Sequence, residues 1–255
     1  QLGVSHLLAI SGFHLGVLSA LLFFILRPIY TFFQNLYFPY RNSKIDLFSF
    51  IAIILFIYLT FLDFPPSLLR AFTMLIIGFI LHDRGFKIIS MQTLFLTMAI
   101  LIAFFPRLAF SIGFYLSIFG VFYIFLFLLH YEKLSKIWQF LLLPIWVYFM
   151  MLPFSLYIFS SFSIYHPLSI LWTSLFTLFY PVSIFLHLIL QGDLLDTLVL
   201  KFIHLNNNFT SVSLDYSWVL IQLVLSLLAT IRKIFIYPLL VLVGMVFTFA
   251  LIQVI

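Results

Sequence analysis

The sequence predicts an all-α polytopic membrane protein, a bundle of about 7–8 transmembrane helices plus one or two interfacial helices. Composition is the first ground: of 255 residues, 65% are apolar and 7% charged, against roughly 45–50% and about 25% in a soluble globular chain. Segmentation is the second, because the apolar residues gather into runs near the ~20 residues that a spanning helix needs. The third is that charge, Pro and Asn cluster between those runs. The absence of cysteine excludes disulfides and Cys-based zinc or redox sites, and no other metal site or cofactor is expected. The chain opens on Gln1 with neither a methionine nor a charged leader region, so it reads as one piece, 1–255, of a longer protein.

The first hydrophobic stretch runs from about Leu7 to Tyr30, followed by a polar connector from Gln34 to Asp46. A second, Leu47 to Leu62, stops at Asp63-Phe64-Pro65-Pro66, where tandem prolines remove donors and clash with the preceding turn. Ser67 to Leu81 is the third and ends at His82-Asp83-Arg84-Gly85; Ile88 to Phe105 is the fourth, punctuated by Pro106-Arg107. The fifth, Phe110 to Leu129, closes at His130-Tyr131-Glu132-Lys133, and the sixth, Trp138 to Phe159, carries Pro144 and Pro153 as expected kinks. Leu168 to Leu190 is the seventh. Gln191 to Asp215 is polar, and Tyr216 to Thr230 is short for a span, so an interfacial or re-entrant helix is expected there. The eighth span is Ile234 to Ile255.

Charge placement orients this bundle. Arg27, Arg41, Lys44, Arg84, Lys87, Lys133, Lys136, Lys201, Arg232 and Lys233 flank the odd-numbered connectors; Arg107 lies on the other side and Arg70 within a span. By the positive-inside rule the odd connectors are cytoplasmic, and both ends of the segment lie on the outer side. The net charge of +5 is thus mainly an orientation signal.

Three short segments could carry chemistry. The first packs His6, Ser11, Gly12, His14 and Gly16 into the start of a span. Gly12 and Gly16 form a small-xxx-small pair that admits a neighbouring backbone; alternatively, Ser11-Gly12 breaks the helix and turns His6 or His14 toward a polar cavity. The second is Pro66-Ser67-Leu68-Leu69-Arg70-Ala71-Phe72-Thr73. A permanent cation one turn into a span must snorkel, pair with Asp63 or face an aqueous path. In the third, Pro106-Arg107 precedes a small or polar stripe of Ser111, Gly113 and Ser117, a pattern usual in packing seams.

Taken together these segments resemble the competence domain of the ComEC family. Its first signature, roughly G-L-x-H-L-L-A-x-S-G-x-H-x-G, is matched by Gly3, His6, Leu7, Leu8, Ala9, Ser11, Gly12, His14 and Gly16. The family's Pro-Ser-x-x-Arg-Ala element is similar to Pro66 through Ala71, and its Pro…Gly-Phe-x-Leu-Ser element to Pro106 and Gly113 through Ser117. Leu152 through Tyr165 and then Pro181 resemble its sixth and seventh helices, without a counterpart near Trp172 to Ser174 of the Asn that usually precedes the later Pro. The resemblance implies a channel in the bacterial inner membrane that passes one strand of DNA into the cytoplasm during natural transformation. It also implies an outer-side DNA receptor and a cytoplasmic DNA-translocating ATPase as partners, with any nuclease in a separate domain or protein. On this basis Arg70 and Arg107, with Ser67 and Thr73, are candidates to meet phosphate, and His6, Ser11 and His14 to shape a constriction. Gly12, Gly16, Pro66, Gly113 and Ser117 are expected to serve packing or helix breaks.

Two other classes compete. An intramembrane hydrolase would pair a Ser nucleophile with a His base, which Ser11 and His14 superficially offer, but they are neighbours within one signature. A small-molecule transporter would suit broken helices, yet no two-fold repeat of spans is visible. No G-x-x-x-x-G-K loop occurs, so any motor is a separate protein, and no catalytic residue is expected in this segment. Aromatic residues such as Phe114, Tyr115, Trp146 and Tyr148 are expected to pack or to meet lipid rather than to form a stacking ladder.

Overall fold

The computed structural model describes residues 12–163 and 210–254, together with isolated positions between 167 and 191. Eight α-helices lie among the described residues: α1 (Gly12–Tyr37), α2 (Ser43–Phe61), α3 (Pro66–Asp83), α4 (Met91–Phe104), α5 (Ile112–Tyr131), α6 (Lys136–Phe159), α7 (Tyr216–Ile231) and α8 (Ile236–Val254). Six are long and apolar enough to cross a membrane; α4 and α7 are shorter. The expected seventh span, 168–190, falls largely outside the described residues. Two compact units divide the chain, Leu8–Tyr115 and Leu116–Ile255, with the boundary inside α5.

In the first unit, α1 continues to Tyr37, past the expected stop at Tyr30, and carries Pro28 in its interior. At ~1.5 Å per residue it is about 39 Å long, more than a ~30 Å hydrocarbon core. The hairpin to α2 is closed by polar groups. Arg41 donates both Nε and Nη2 to the Asp46 carboxylate at 2.6 and 2.7 Å, and Tyr30 donates its hydroxyl to the same carboxylate. The hydrogen bonds from Arg41 to Asp46 raise the Arg41 pKa. Asn42 caps α2 by accepting from the Lys44 amide. Leu47, Ile51, Leu55 and Leu59, spaced by four, form the buried edge of α2, whereas Phe24 and Phe61 are exposed, as suits lipid-facing positions.

The turn before α3 is strained. Asp63 and Phe64 both adopt left-handed φ, 56° and 53°, which is unfavourable by about 1–2 kcal/mol for an ordinary residue. The following proline disfavours right-handed helix at Phe64, so α2 ends here and α3 starts on Pro66. At its other end, Gly85 supplies φ +76° while the Phe86 amide bonds back to the Leu81 carbonyl, a Schellman-type stop. Ser90 caps α4 through the Thr93 amide. With Pro106 opening a 3-10 turn (Pro106–Phe110), α4 is held to 14 residues, about 21 Å where Ile88–Phe105 is expected to span.

In the second unit, residues 216–230, expected as an interfacial or re-entrant helix, form α7, which packs along α5 and α6. Along α7, Tyr216 stacks near Tyr157 (6.0 Å) and Gln222 donates to the Met150 carbonyl (2.7 Å). Further on, Ser226 meets Tyr123 (2.9 Å), His130 Nε2 donates to the Ala229 carbonyl (2.7 Å), and Lys233 lies over the Tyr131 ring (5.2 Å). Partners on α6 descend as those on α5 ascend, so α7 runs antiparallel to α6 and parallel to α5, from one end of that pair to the other. It is about 24 Å long and is followed by the 3-10 turn Lys233–Phe235.

The packing of α7 includes a buried polar knot. Ser226 Oγ donates to the Gln222 carbonyl, so it accepts from the Tyr123 hydroxyl, which in turn accepts from Gln222 Nε2 (3.0 Å). Trp146 Nε1 donates to the Tyr123 carbonyl (3.0 Å), joining α6. Gln222, Ser226 and Tyr123 are fully or almost fully buried. Buried polar side chains are costly unless bonded, and this pairing offsets most of that cost, leaving Gln222 Oε1 without a hydrogen bond among the described residues.

A short antiparallel pair, Ser161–Phe162 with Thr210–Ser211, joins the end of α6 to the chain entering α7. Phe162 and Thr210 therefore lie at the same end of this unit. Lys133, Lys136, Arg232 and Lys233 share the opposite end, since α5 and α7 both finish there and α6 starts there. Lys201 lies outside the described residues. α8 runs back toward the end at which α7 begins, where Phe249 and Gln253 lie beside Ser213 and Asp215.

Candidate functional site

The first and second sequence segments meet in the unit Leu8–Tyr115. Gly12 opens α1 and Pro66 opens α3. A Cβ built on Gly12 would lie 3.0 Å from Ala71 Cβ, 3.1 Å from Arg70 Nη2 and 3.1 Å from the Ser67 carbonyl oxygen. Arg70 thus lays its guanidinium against the Gly12 backbone, an approach that only glycine permits.

The spacing of α3 explains the assembly. Ser67, Arg70, Ala71 and Met74 recur at three- and four-residue intervals and so share a face. Ala71 is small enough to let α1 come close. Arg70 Nη1 reaches Met74 Sδ at 3.7 Å, one turn along. Thr73 lies off this contact, its hydroxyl donating to the Leu69 carbonyl at 2.8 Å. Leu68 and Leu69 are buried, and Ser67, Arg70 and Thr73 are half-buried. His14 is buried, at 5% exposure, beside Leu15 at 1%, so it belongs to the packed interior of this region rather than to its lipid face.

Electrostatically, Arg70 sits in the first turns of α3, where the helix dipole adds positive potential. Its guanidinium presents several N–H donors in a rigid fork and stays charged at any physiological pH. The cluster is therefore suited to an anion with several acceptor oxygens, above all a phosphate.

The remaining candidates fall elsewhere. Beside Gly16 a Cβ would meet nothing within 4 Å, and beside Gly113 only Ser111 Oγ at 3.8 Å. Close approach is thus at Gly12 alone of these three. Arg107 is exposed on the 3-10 turn after α4. Ser111 accepts from the Phe114 amide at 3.3 Å and so caps α5. Ser117 lies on the part of α5 that belongs to the second unit. His6 and Ser11 lie outside the described residues. Phe114 and Trp146 are buried, and Tyr115 donates its hydroxyl to the Ala109 carbonyl at 2.9 Å. The role of Ala71 as a spacer is not evident from sequence; its only signal is a small residue directly after the intramembrane arginine.

A family model described as Competence protein matches residues 1–255. No curated protein and no solved structure matches the chain.

Proposed function

The chain belongs to the competence protein family, and from that premise we propose that it is the conduit through which single-stranded DNA crosses the bacterial plasma membrane into the cytoplasm. The observation that carries this reading is the contact of Arg70 with Gly12. It joins two of the signature segments and places a fixed cation, half-buried, on the facing surfaces of α1 and α3.

A conduit for a polyanion needs cations that engage each phosphate firmly enough to admit it and weakly enough to release it. One guanidinium held in place by packing meets that requirement better than a cluster of flexible lysines. Ser67 and the start of α3 supply further donors and positive potential. Arg107 serves as a second cation on the path, and the first signature segment, through His14, shapes a constriction. By the positive-inside rule, the end carrying Lys133, Lys136, Arg232 and Lys233 is cytoplasmic. Transport requires a DNA receptor on the outer side and a separate DNA-translocating ATPase. No hydrolytic step is assigned to these residues; strand degradation belongs to another domain or protein.

The test is uptake of labelled single-stranded DNA into vesicles containing the protein, beside uptake of a small neutral solute. Arg70→Gln should reduce DNA entry at least tenfold with membrane abundance unchanged, and Arg70→Lys should retain part of it. Loss of abundance in Arg70→Gln would make the residue structural, and solute entry without DNA entry would replace the conduit by a small-molecule transporter.

A further inference from the structure

Away from the arginine, at the end of the second unit where α7 begins and α8 finishes, a cleft is lined by Ser213, Leu214, Asp215, Trp218, Phe249 and Gln253. We infer that this cleft receives one unstacked nucleobase carrying an exocyclic amino group; the inference rests on the conduit reading and names a base subsite for it.

Four features support this occupant. Asp215 stands at the N-cap of α7, the position at which an aspartate ordinarily accepts from its own helix, yet its side chain makes no cap hydrogen bond and its residue lines the cleft instead. Trp218 is 37% and Phe249 43% exposed, so each leaves aromatic surface for a flat ring, and base–aromatic stacking contributes about 1–3 kcal/mol per base. Gln253 adds a donor and an acceptor, and Ser213 a hydroxyl. The open volume, about 360 Å³, accommodates a single base.

A carboxylate accepts from an amino group such as cytosine N4, whereas thymine offers only an acceptor there. The same carboxylate repels phosphate, which turns the base inward and the backbone outward. A lipid headgroup amine would satisfy Asp215 but would leave the directional groups of Gln253 and Ser213 unused, so the nucleobase is favoured. The cleft lies at the end of the unit opposite Lys233, where the conduit reading places the entering strand.

Uncharged nucleosides test the cleft without engaging the phosphate site. Deoxycytidine and thymidine present rings of the same size, and stacking on Trp218 quenches its fluorescence, isolated by subtracting the signal of Trp218→Phe. In the purified protein, deoxycytidine should quench at about tenfold lower concentration than thymidine, and Asp215→Asn should bring the two together. Equal quenching by both nucleosides, or a preference that survives Asp215→Asn, overturns the assignment. Quenching by choline at the concentration effective for deoxycytidine overturns it too and gives the cleft to a lipid headgroup. DNA uptake that persists without nucleoside binding removes the subsite and leaves the conduit standing; nucleoside binding in a protein that fails to pass DNA does the reverse.

Discussion

Adding one methyl group at Gly12 tests the architecture of the arginine site most directly. Its Cβ would lie 3.0–3.1 Å from Ala71 Cβ, Arg70 Nη2 and the Ser67 carbonyl oxygen, while comfortable heavy-atom separations are about 3.5–4.0 Å. The guanidinium can swing aside, but the Ser67 carbonyl is backbone, so α1 and α3 must part by about half an ångström. Overpacking of this kind costs about 1–3 kcal/mol. Alanine's advantage over glycine in a helix interior is about 1 kcal/mol and smaller at the first helical position, where Gly12 stands. Gly12→Ala should therefore destabilise the protein by about 1–2 kcal/mol and displace Arg70, lowering DNA uptake more than stability alone accounts for. Gly16→Ala is the matched control: with open space at its Cβ, only the propensity gain of up to about 1 kcal/mol remains. Thermal unfolding in detergent and transformation frequency provide the two readouts. The double variant Gly12→Ala/Ala71→Gly should recover part of the loss, since it removes one of the three close contacts. If Gly12→Ala and Gly16→Ala behave alike in both assays, the close approach of α1 to α3 is wrong.

Other consequences are as open to measurement. Ser226→Ala removes the acceptor of a fully buried tyrosine hydroxyl and should cost about 1–3 kcal/mol, read as a lowered unfolding temperature; an unchanged transition would mean that the knot does not hold α7 in place. The chain has no cysteine, so single-cysteine labelling reports sidedness without background. Cysteines at Ser160 and Ser213 should label from one side of the membrane and those at Ser135 and Lys233 from the other. Labelling of Ser213 and Lys233 from the same side would return α7 to the interface.

Some of this was legible in one dimension. Hydropathy is a property of consecutive residues, so the helical membrane class, the stops at Pro65-Pro66 and His130–Lys133, and the clustering of cations could be read without a fold. The boundary of α1 could not, because its last turns are tied to a polar hairpin in which Asp46 of α2 accepts from both Tyr30 of α1 and Arg41 of the connector. Arg70 was identifiable as an exceptional charge, since a cation in an apolar run stands out by contrast alone.

Which glycine admits a neighbour, and what a 16-residue apolar helix packs against, were decided by the tertiary structure. Gly12 and Gly16 offer the same spacing to any partner, but only the crossing of α1 over α3 selects Gly12. Gln222 and Ser226 lower the apparent hydropathy of α7 when each residue is scored alone; their bonds to Tyr123 and to the Met150 carbonyl offset part of that cost, although the buried Gln222 Oε1 accepts no hydrogen bond among the described residues. A side chain's transfer free energy depends on whether its hydrogen bonds are satisfied, and that is settled by residues about a hundred positions away.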